Sequence, residues 1–350
     1  MRAQRSFSSR FVLSALMVGV PLLLVAQEPV DPRKPVWAYA ITPEMPVADV
    51  RGPQPRQPQN GRANQAGARR GAGAPPDTTL YTVPGSKFQF TMAQIRSTAD
   101  PVDWFPDEHP PVPEIVKIGR PPVVKPCWSC HTLNGKGKPE NGPIAGLPKD
   151  YLIRQLREFK SGVRDTADIH KPKDMRGITQ GMSEEDMEQS ADYFAAMPWT
   201  PWIHVIEADV IPKVRMAGQA FHLVNDGTTE PIGARIVEAN EDEEQERLRS
   251  PHAGWVAYVP VGAIKKGEAL VTTGGGKTVP CITCHGQDLH GVGTIPGIAG
   301  RGPSYLARQL YDFQQGTRNG EFAPLMKAVA ANLTNDDIIN ILAYVSSRKP

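Results

Sequence analysis

Two five-residue stretches carry the distinctive chemistry of this 350-residue chain: Cys127-Trp128-Ser129-Cys130-His131 and Cys281-Ile282-Thr283-Cys284-His285. Both read Cys-x-x-Cys-His, the spacing of covalent c-type haem attachment. Two thiols three positions apart can reach the two vinyl groups of one porphyrin and form thioethers. The next residue is then held under the iron, where a neutral imidazole is a suitable axial ligand. The chain has 4 cysteines and all lie in these motifs, so none remains for a disulfide framework. Zinc held by the two Cys-x-x-Cys pairs is the rival reading, and it leaves both histidines and the sequence around them unexplained.

The surroundings of the two motifs repeat. Cys127 and Cys281 are 154 positions apart, and the same offset relates Tyr151/Tyr305, Arg154/Arg308, Gln155/Gln309, Leu156/Leu310, Phe159/Phe313, Gly162/Gly316 and Arg164/Arg318. Both copies read Y-L-x-R-Q-L-x-[ED]-F-x-x-G-x-R. Leu152, Leu156 and Phe159 mark one apolar helix face. Asp150 and Ser304 stand where an N-cap is expected, and Gly162 and Gly316 where the helix stops. A second helix follows in each copy, opened by a capping box at Ser183 and Thr334. Here the first copy carries three extra residues, within Asp165–Asp174.

This register selects sixth ligands for the two irons. Met175 lies eight positions before Ser183 and Met326 eight before Thr334, so the two are equivalent. A thioether is a soft neutral donor that raises an iron's potential. The expected metal ligands are therefore His131 and Met175 in the first site, His285 and Met326 in the second. Met182 and His170 compete with Met175 for the first iron. Met182 and Met187 align with Leu333 and Ile338 and read as helix packing. His109, His204, His222 and His252 have no equivalents and read as ordinary histidines, and His290 as a surface or propionate neighbour.

The remaining chain supports these elements. Arg2, Arg5 and Arg10 precede an apolar run over residues 11–25 with a cleavage site at Leu24-Val25-Ala26, so residues 1–26 read as an export signal. An uncleaved signal would instead tether the chain to a membrane. Residues 27–80 read as a disordered Pro/Gly/Arg-rich tether, and residues 81–199 as a first haem domain with an N-terminal arm in which Trp104, Phe105, Ile115 and Val116 cover part of the fold. Residues 200–262 read as a connector of short strands and irregular chain, with a solvated acidic run from Glu238 to Arg249. Residues 263–350 form the second haem domain, opened by a short helix over 263–272. Hydrophobic residues make up 40% and aromatics 7%, with 35 Pro and 32 Gly, which favours small domains over one large sheet. A net charge of +2 gives no case for nucleic acid.

The motif set resembles the class I cytochromes c, and in particular tandem di-haem members with two similar lobes. The resembling parts are Cys-x-x-Cys-His, Ile295-Pro296-Gly297-Ile298-Ala299-Gly300, the Y-L-x-R-Q-L helix, Met326 and the capped final helix, over roughly residues 120–198 and 263–350. The resemblance implies a mainly α fold with two cytochrome c-like helical domains, two covalently bound haem c groups (Cys127, Cys130 and His131; Cys281, Cys284 and His285) and electron transfer without catalytic residues. It implies redox protein partners, a dehydrogenase or terminal oxidase among them, and scope for association with a membrane complex or for service as a subunit of one, while the export signal points to the periplasm. It also implies that the Pro296 carbonyl orients His285. In the first copy Gly142 stands at that position with Pro143 one residue later, so Gly142 is the expected acceptor there. A haem peroxidase is the enzyme alternative. It requires an open iron, and the first site, with its insertion near Met175, is the place for one.

Overall fold

The computed structural model describes residues 33–39, 78–97, 100–167, 174–217 and 220–350, all within one unit. The export signal, most of the tether and His170 lie outside the described residues. The first helical set starts with the single turn α1 (Trp128–His131), followed by α2 (Lys149–Ser161), α3 (Asp174–Gln180) and α4 (Glu184–Ala195). Leu152 and Ile153 of α2 and Met187, Ala191 and Phe194 of α4 share a core with Ile115, Val116 and Met182. Helix α2 ends at Gly162 with φ 81°, a left-handed stop that suits glycine. Helix α4 opens with a complete Ser183/Asp186 capping box.

The connector is more regular than expected. Strands β1 (Ile203–Glu207), β2 (Val214–Ala217), β3 (Ala220–Leu223), β4 (Val237–Asn240) and β5 (Trp255–Val259) form one mixed sheet in the order β1-β5-β4-β3-β2. Strands β1 and β5 run parallel, β5 and β4 antiparallel. Period-two alternation decides which side each residue serves. Trp255, Ala257 and Val259 face a core shared with the C-terminal helices, whereas Val256, Val237 and Ala239 face a separate core with Ile211 and Phe221. Burial on both faces is what turns this connector from irregular chain into a sheet.

The second helical set comprises α5 (Ala263–Thr273), the single turn α6 (Ile282–His285), α7 (Pro303–Gln315), α8 (Ala323–Ala330) and α9 (Asn335–Ser347). Helix α5 crosses α9 at Gly267, where an added Cβ would lie 1.8 Å from the Asn340 carbonyl oxygen. Only glycine permits that approach. Helix α9 has the Thr334/Asp337 capping box, and α7 stops at Gly316 with φ 71°.

Four expectations need correction. The N-caps of α2 and α7 are Pro148 and Gly302, with Asp150 and Ser304 one position inside the first turn. Neither cap makes a side-chain hydrogen bond, and in α7 Pro303 at the first helical position has a φ fixed near the helical value and no N–H to leave unsatisfied. Glu238 is not on a solvated face: it is 1% exposed and its Oε2 accepts the Ser304 N–H at 2.9 Å, satisfying an orphan donor at the start of α7. The tether is not disordered throughout, because Trp37, Ala38 and Tyr39 are buried in the C-terminal core. Trp37 Nε1 donates to Asn335 Oδ1 at 3.0 Å, and Arg308 donates to the Ala38 carbonyl at 2.6 Å. Trp104 covers the connector rather than the first helical core: it packs with Val83, Ile95 and Leu248 and donates to the Leu248 carbonyl at 3.0 Å.

Candidate metal centres

In the first site, Cys127 begins the turn α1 and Thr132, at φ 61°, ends it. His131 Nδ1 lies 2.8 Å from the Gly142 carbonyl. A carbonyl only accepts, so Nδ1 carries the proton and Nε2 is left with its lone pair. Burial pushes the His131 pKa down, opposed by the Gly142 carbonyl and assisted by the Arg164 charge. That direction favours the neutral ring, the form in which a histidine binds metal. A Cβ at Gly142 would meet the Tyr305 ring at 2.8 Å, so a larger residue there would have to displace that side chain.

Cys127, Cys130, His131, Leu152, Met175 and Phe194 contribute to the lining of one cavity of about 530 Å³. Two thiols, an imidazole with a free Nε2, a thioether and an apolar wall suit a flat apolar macrocycle attached along one edge. Met175 is half-buried on α3; its rival Met182, 3% exposed and packed in the helical core, lines the same cavity. Burial pushes the Cys127 and Cys281 thiols up to about 11, which rules against a nucleophilic thiolate. Among the described residues no three or more His, Cys, Asp or Glu side chains converge on a metal position.

The second site repeats this geometry. Cys281 opens α6, and His285 Nδ1 donates to the Pro296 carbonyl at 2.8 Å. Burial again lowers the histidine's pKa. Pro296 lies in the short strand Ile295–Pro296, paired with Gly291–Val292. Met326 is half-buried on α8 against Leu310, Phe313, Ala323 and Ala330. Each candidate methionine therefore lies on the helix that packs on its copy's long helix. Among the described residues, His109 contacts Asp103, His204 Glu241, His252 Glu108 and His290 the Lys349 carbonyl, while His222 Nδ1 lies 3.6 Å from Glu243.

A set of contacts between the two copies was not recognised from sequence. Arg164 donates to Gln155 Oε1 at 2.8 Å within its own copy, and across to Tyr305 Oη and Gln309 Oε1, both at 3.0 Å. Arg318 does the same in reverse, to Gln309 at 3.1 Å, Tyr151 at 2.9 Å and Gln155 at 2.9 Å. Backbone bonds follow the same symmetry: Asp165 N–H to the Thr317 carbonyl at 2.9 Å and Asn319 N–H to the Val163 carbonyl at 2.7 Å. The carboxylates match too, Asp312 accepting the Ala167 N–H at 2.7 Å and Glu158 the Glu321 N–H at 3.0 Å. This is a two-fold, self-complementary contact made inside one chain. Its signal was present in the identity of buried polar residues between the copies.

The sites differ in what covers them. Trp128 is 5% exposed, donates to the Lys117 carbonyl at 3.0 Å, and lies beneath Arg249 at 5.2 Å. Asn134 donates to the Pro251 carbonyl at 2.8 Å, and Lys138 pairs with Glu246. The connector therefore closes over the first motif. At the second, Thr283 and Cys284 are exposed.

Comparison with known proteins gives a consistent result. The cytochrome c family model matches residues 120–197. The chain is 27% identical over 218 residues to a thiosulfate dehydrogenase electron acceptor of Thiomonas intermedia, covering 61% of this chain and 75% of that protein. It is 26% identical over 223 residues to cytochrome c4 of Pseudomonas aeruginosa, covering 63% and 82%. It is 37% identical over 70 residues to cytochrome c-554(548) of Halomonas halodenitrificans, covering 20% of this chain and 84% of that protein.

Proposed function

Because this chain belongs to the cytochrome c family, we propose that its two Cys-x-x-Cys-His turns each anchor one haem c, with His131 and Met175 as the axial pair of the first and His285 and Met326 of the second. The protein is an electron carrier that works with redox protein partners. Bound haem c supplies a reversible one-electron change at each iron, and the chain sets where that change is stable and which surfaces reach it. The observation that carries the assignment is the matched pair of histidines, each with Nδ1–H on an equivalent loop carbonyl at 2.8 Å and with cysteines four positions and one position before it.

The two helical sets serve as haem domains, residues 81–199 with the arm and residues 263–350, with the sheet of residues 200–262 between them in sequence. The reciprocal contact of Arg164 and Arg318 supports two lobes held in one relative orientation. The differing cover supports unequal potentials, since burial and hydrogen bonding are what tune a haem. A dehydrogenase is the proposed electron donor, in line with the name of the Thiomonas relative, and a terminal oxidase the proposed acceptor. The basic and apolar pattern of residues 1–26 supports export to the periplasm. No helix of the described residues is long and apolar enough to cross a membrane. A pyridine haemochrome assay on purified protein tests the assignment: two covalent haems per chain, both low-spin with a Met-to-iron absorption, are expected. A high-spin, peroxide-reactive first haem would replace it with the open-iron reading.

A further inference from the structure

Arg301 belongs to neither histidine motif, yet its side chain reaches both loops that hold the histidines. Its Nε donates to the Gly297 carbonyl at 2.7 Å, Nη1 to Pro143 at 3.1 Å and Nη2 to Ala145 at 3.1 Å. Gly297 and Pro143 are equivalent positions, 154 apart. Each directly follows the residue whose carbonyl takes the histidine proton, Pro296 and Gly142. One guanidinium therefore clamps equivalent peptides of both loops. The matching position in the first copy is Leu147, so the clamp occurs once and breaks the symmetry of the repeat.

The surroundings are built for a permanent charge. Arg301 is 4% exposed, and the Trp199 ring covers it at 4.3 Å. Trp199 is itself tied to the Ala299 carbonyl at 3.0 Å, and the Arg301 carbonyl accepts from Ser346 Oγ at 2.8 Å. Three carbonyls compensate the buried cation, and no ion pair joins it to a carboxylate among the described residues. Burial pulls its pKa down to about 10, which leaves it protonated at neutral pH. A buried charge without a counter-ion is costly, and its rigid planar fork is what lets one side chain satisfy two loops at once.

We propose that Arg301 is a positioning residue shared by both haem sites: it fixes the loop carbonyls that orient His131 and His285, and its charge raises both reduction potentials. This rests on the di-haem reading above. A cation in a poorly screening interior favours the less positive, reduced iron. Holding the carbonyls strengthens the bonds to both imidazoles and so their basicity. That second effect lowers a potential, but it acts through one neutral hydrogen bond per site, so the charge decides the sign.

The test uses the intact, haem-loaded protein. Fewer than two covalent haems in the unaltered chain would sink the di-haem reading itself and this inference with it. With two present, Arg301→Gln is expected to lower both midpoint potentials, each by about a tenfold change in the reduction equilibrium, which is about 59 mV for one electron. It should also displace the Nδ1–H proton resonances of both His131 and His285 in the reduced protein. Arg301→Lys keeps the charge and loses the fork, so the potentials should recover toward the original values while both resonances stay displaced. An Arg301→Gln effect confined to the second haem, or absent from both, overturns the proposal. If that variant fails to incorporate haem, Arg301→Lys decides alone, and an unmoved His131 resonance is the overturning result.

Discussion

The two histidine motifs share a plan and differ in cover. Cys127–His131 has a buried tryptophan in its second position, tied to Lys117 and lidded by Arg249, while Cys281–His285 has a half-buried isoleucine there and an exposed second cysteine. The covering material comes from outside the repeat, from residues 246–252 of the connector and from the arm before Cys127. Internal duplication thus supplies two sites of one geometry, and the unduplicated segments make them unequal. Exchange with large partners is accordingly expected at the second site, and the first is expected to pass electrons through the second.

The largest effect that tests this division is loss of one site at a time. Cys127→Ser with Cys130→Ser should reduce the haem count from two to one and leave electron exchange with a protein partner through the second haem. Cys281→Ser with Cys284→Ser should give the same count but slow that exchange by an order of magnitude or more. Stopped-flow reduction of each variant by a protein donor reads the difference. Equal rates in the two variants would dissolve the division of labour.

Next in size is the contact the copies share. Arg164→Ala and Arg318→Ala each remove three hydrogen bonds of a buried guanidinium, and each should cost about 3 kcal/mol. Because both cations share Gln155 and Gln309 as acceptors, the double variant should depart from additivity by about 1 kcal/mol or more. Urea unfolding of the four-member cycle measures this. Strict additivity would mean that the two halves of the contact act independently.

A smaller, pH-dependent difference attaches to Asp312, which stands where the first copy has Glu158. Burial raises the Asp312 carboxyl to about 6, against the opposing pull of the Ala167 N–H, Arg164 and Thr166. A native pKa above the unfolded value means that the folded chain holds the proton more tightly. The stabilisation is complete below about pH 4 and is lost as pH rises through about 6. Asp312→Asn keeps an oxygen acceptor and removes the titration. It should gain about 2 kcal/mol relative to the unaltered protein on going from pH 4 to pH 8. Chemical denaturation at those two pH values is the check, and parallel pH profiles would show that the Asp312 charge is compensated.

What the sequence made legible was local. The stripe of Leu152, Leu156 and Phe159, the capping boxes at Ser183 and Thr334 and the glycine stops depend on neighbours within a few positions. The register of His285 with Pro296 came from the family resemblance, and the 154-residue offset carried it to His131 and Gly142 in the other copy. The sheet was less so: strands β3 and β4 pair parallel through Phe221 and Ala239, and short strands are specified by what buries them more than by their own composition. Glu238 looked like part of an acidic run because its partner, the Ser304 N–H, lies 66 positions away. Trp37 and Tyr39 sit in sequence that lacks a periodic pattern and are held by Asn335 and Arg308. Tyr151, Gln155 and Arg164 were visible as repeated residues, but repetition alone does not say that each meets the other copy.

The smallest effect probes the lid over the first motif. Arg249 lies over Trp128 at 5.2 Å, and its backbone is in the left-handed region at φ 56°. Removing the side chain forfeits a cation–π contact worth about 1 kcal/mol, and Arg249→Ala keeps the strained backbone, so it should lose roughly that amount. Arg249→Gly loses the same contact but relieves a conformation that costs a non-glycine residue about 1 kcal/mol, so its stability should stay near the original. Both variants uncover Trp128, and both should quicken reduction of the first haem by a small, soluble reductant while leaving the second unchanged. Rate and stability then separate: the alanine and glycine variants share the rate and differ in stability. A variant pair that shared both would show that the backbone at Arg249 relaxes freely, and a first haem no faster in either would place its cover in the arm residues before Cys127 instead.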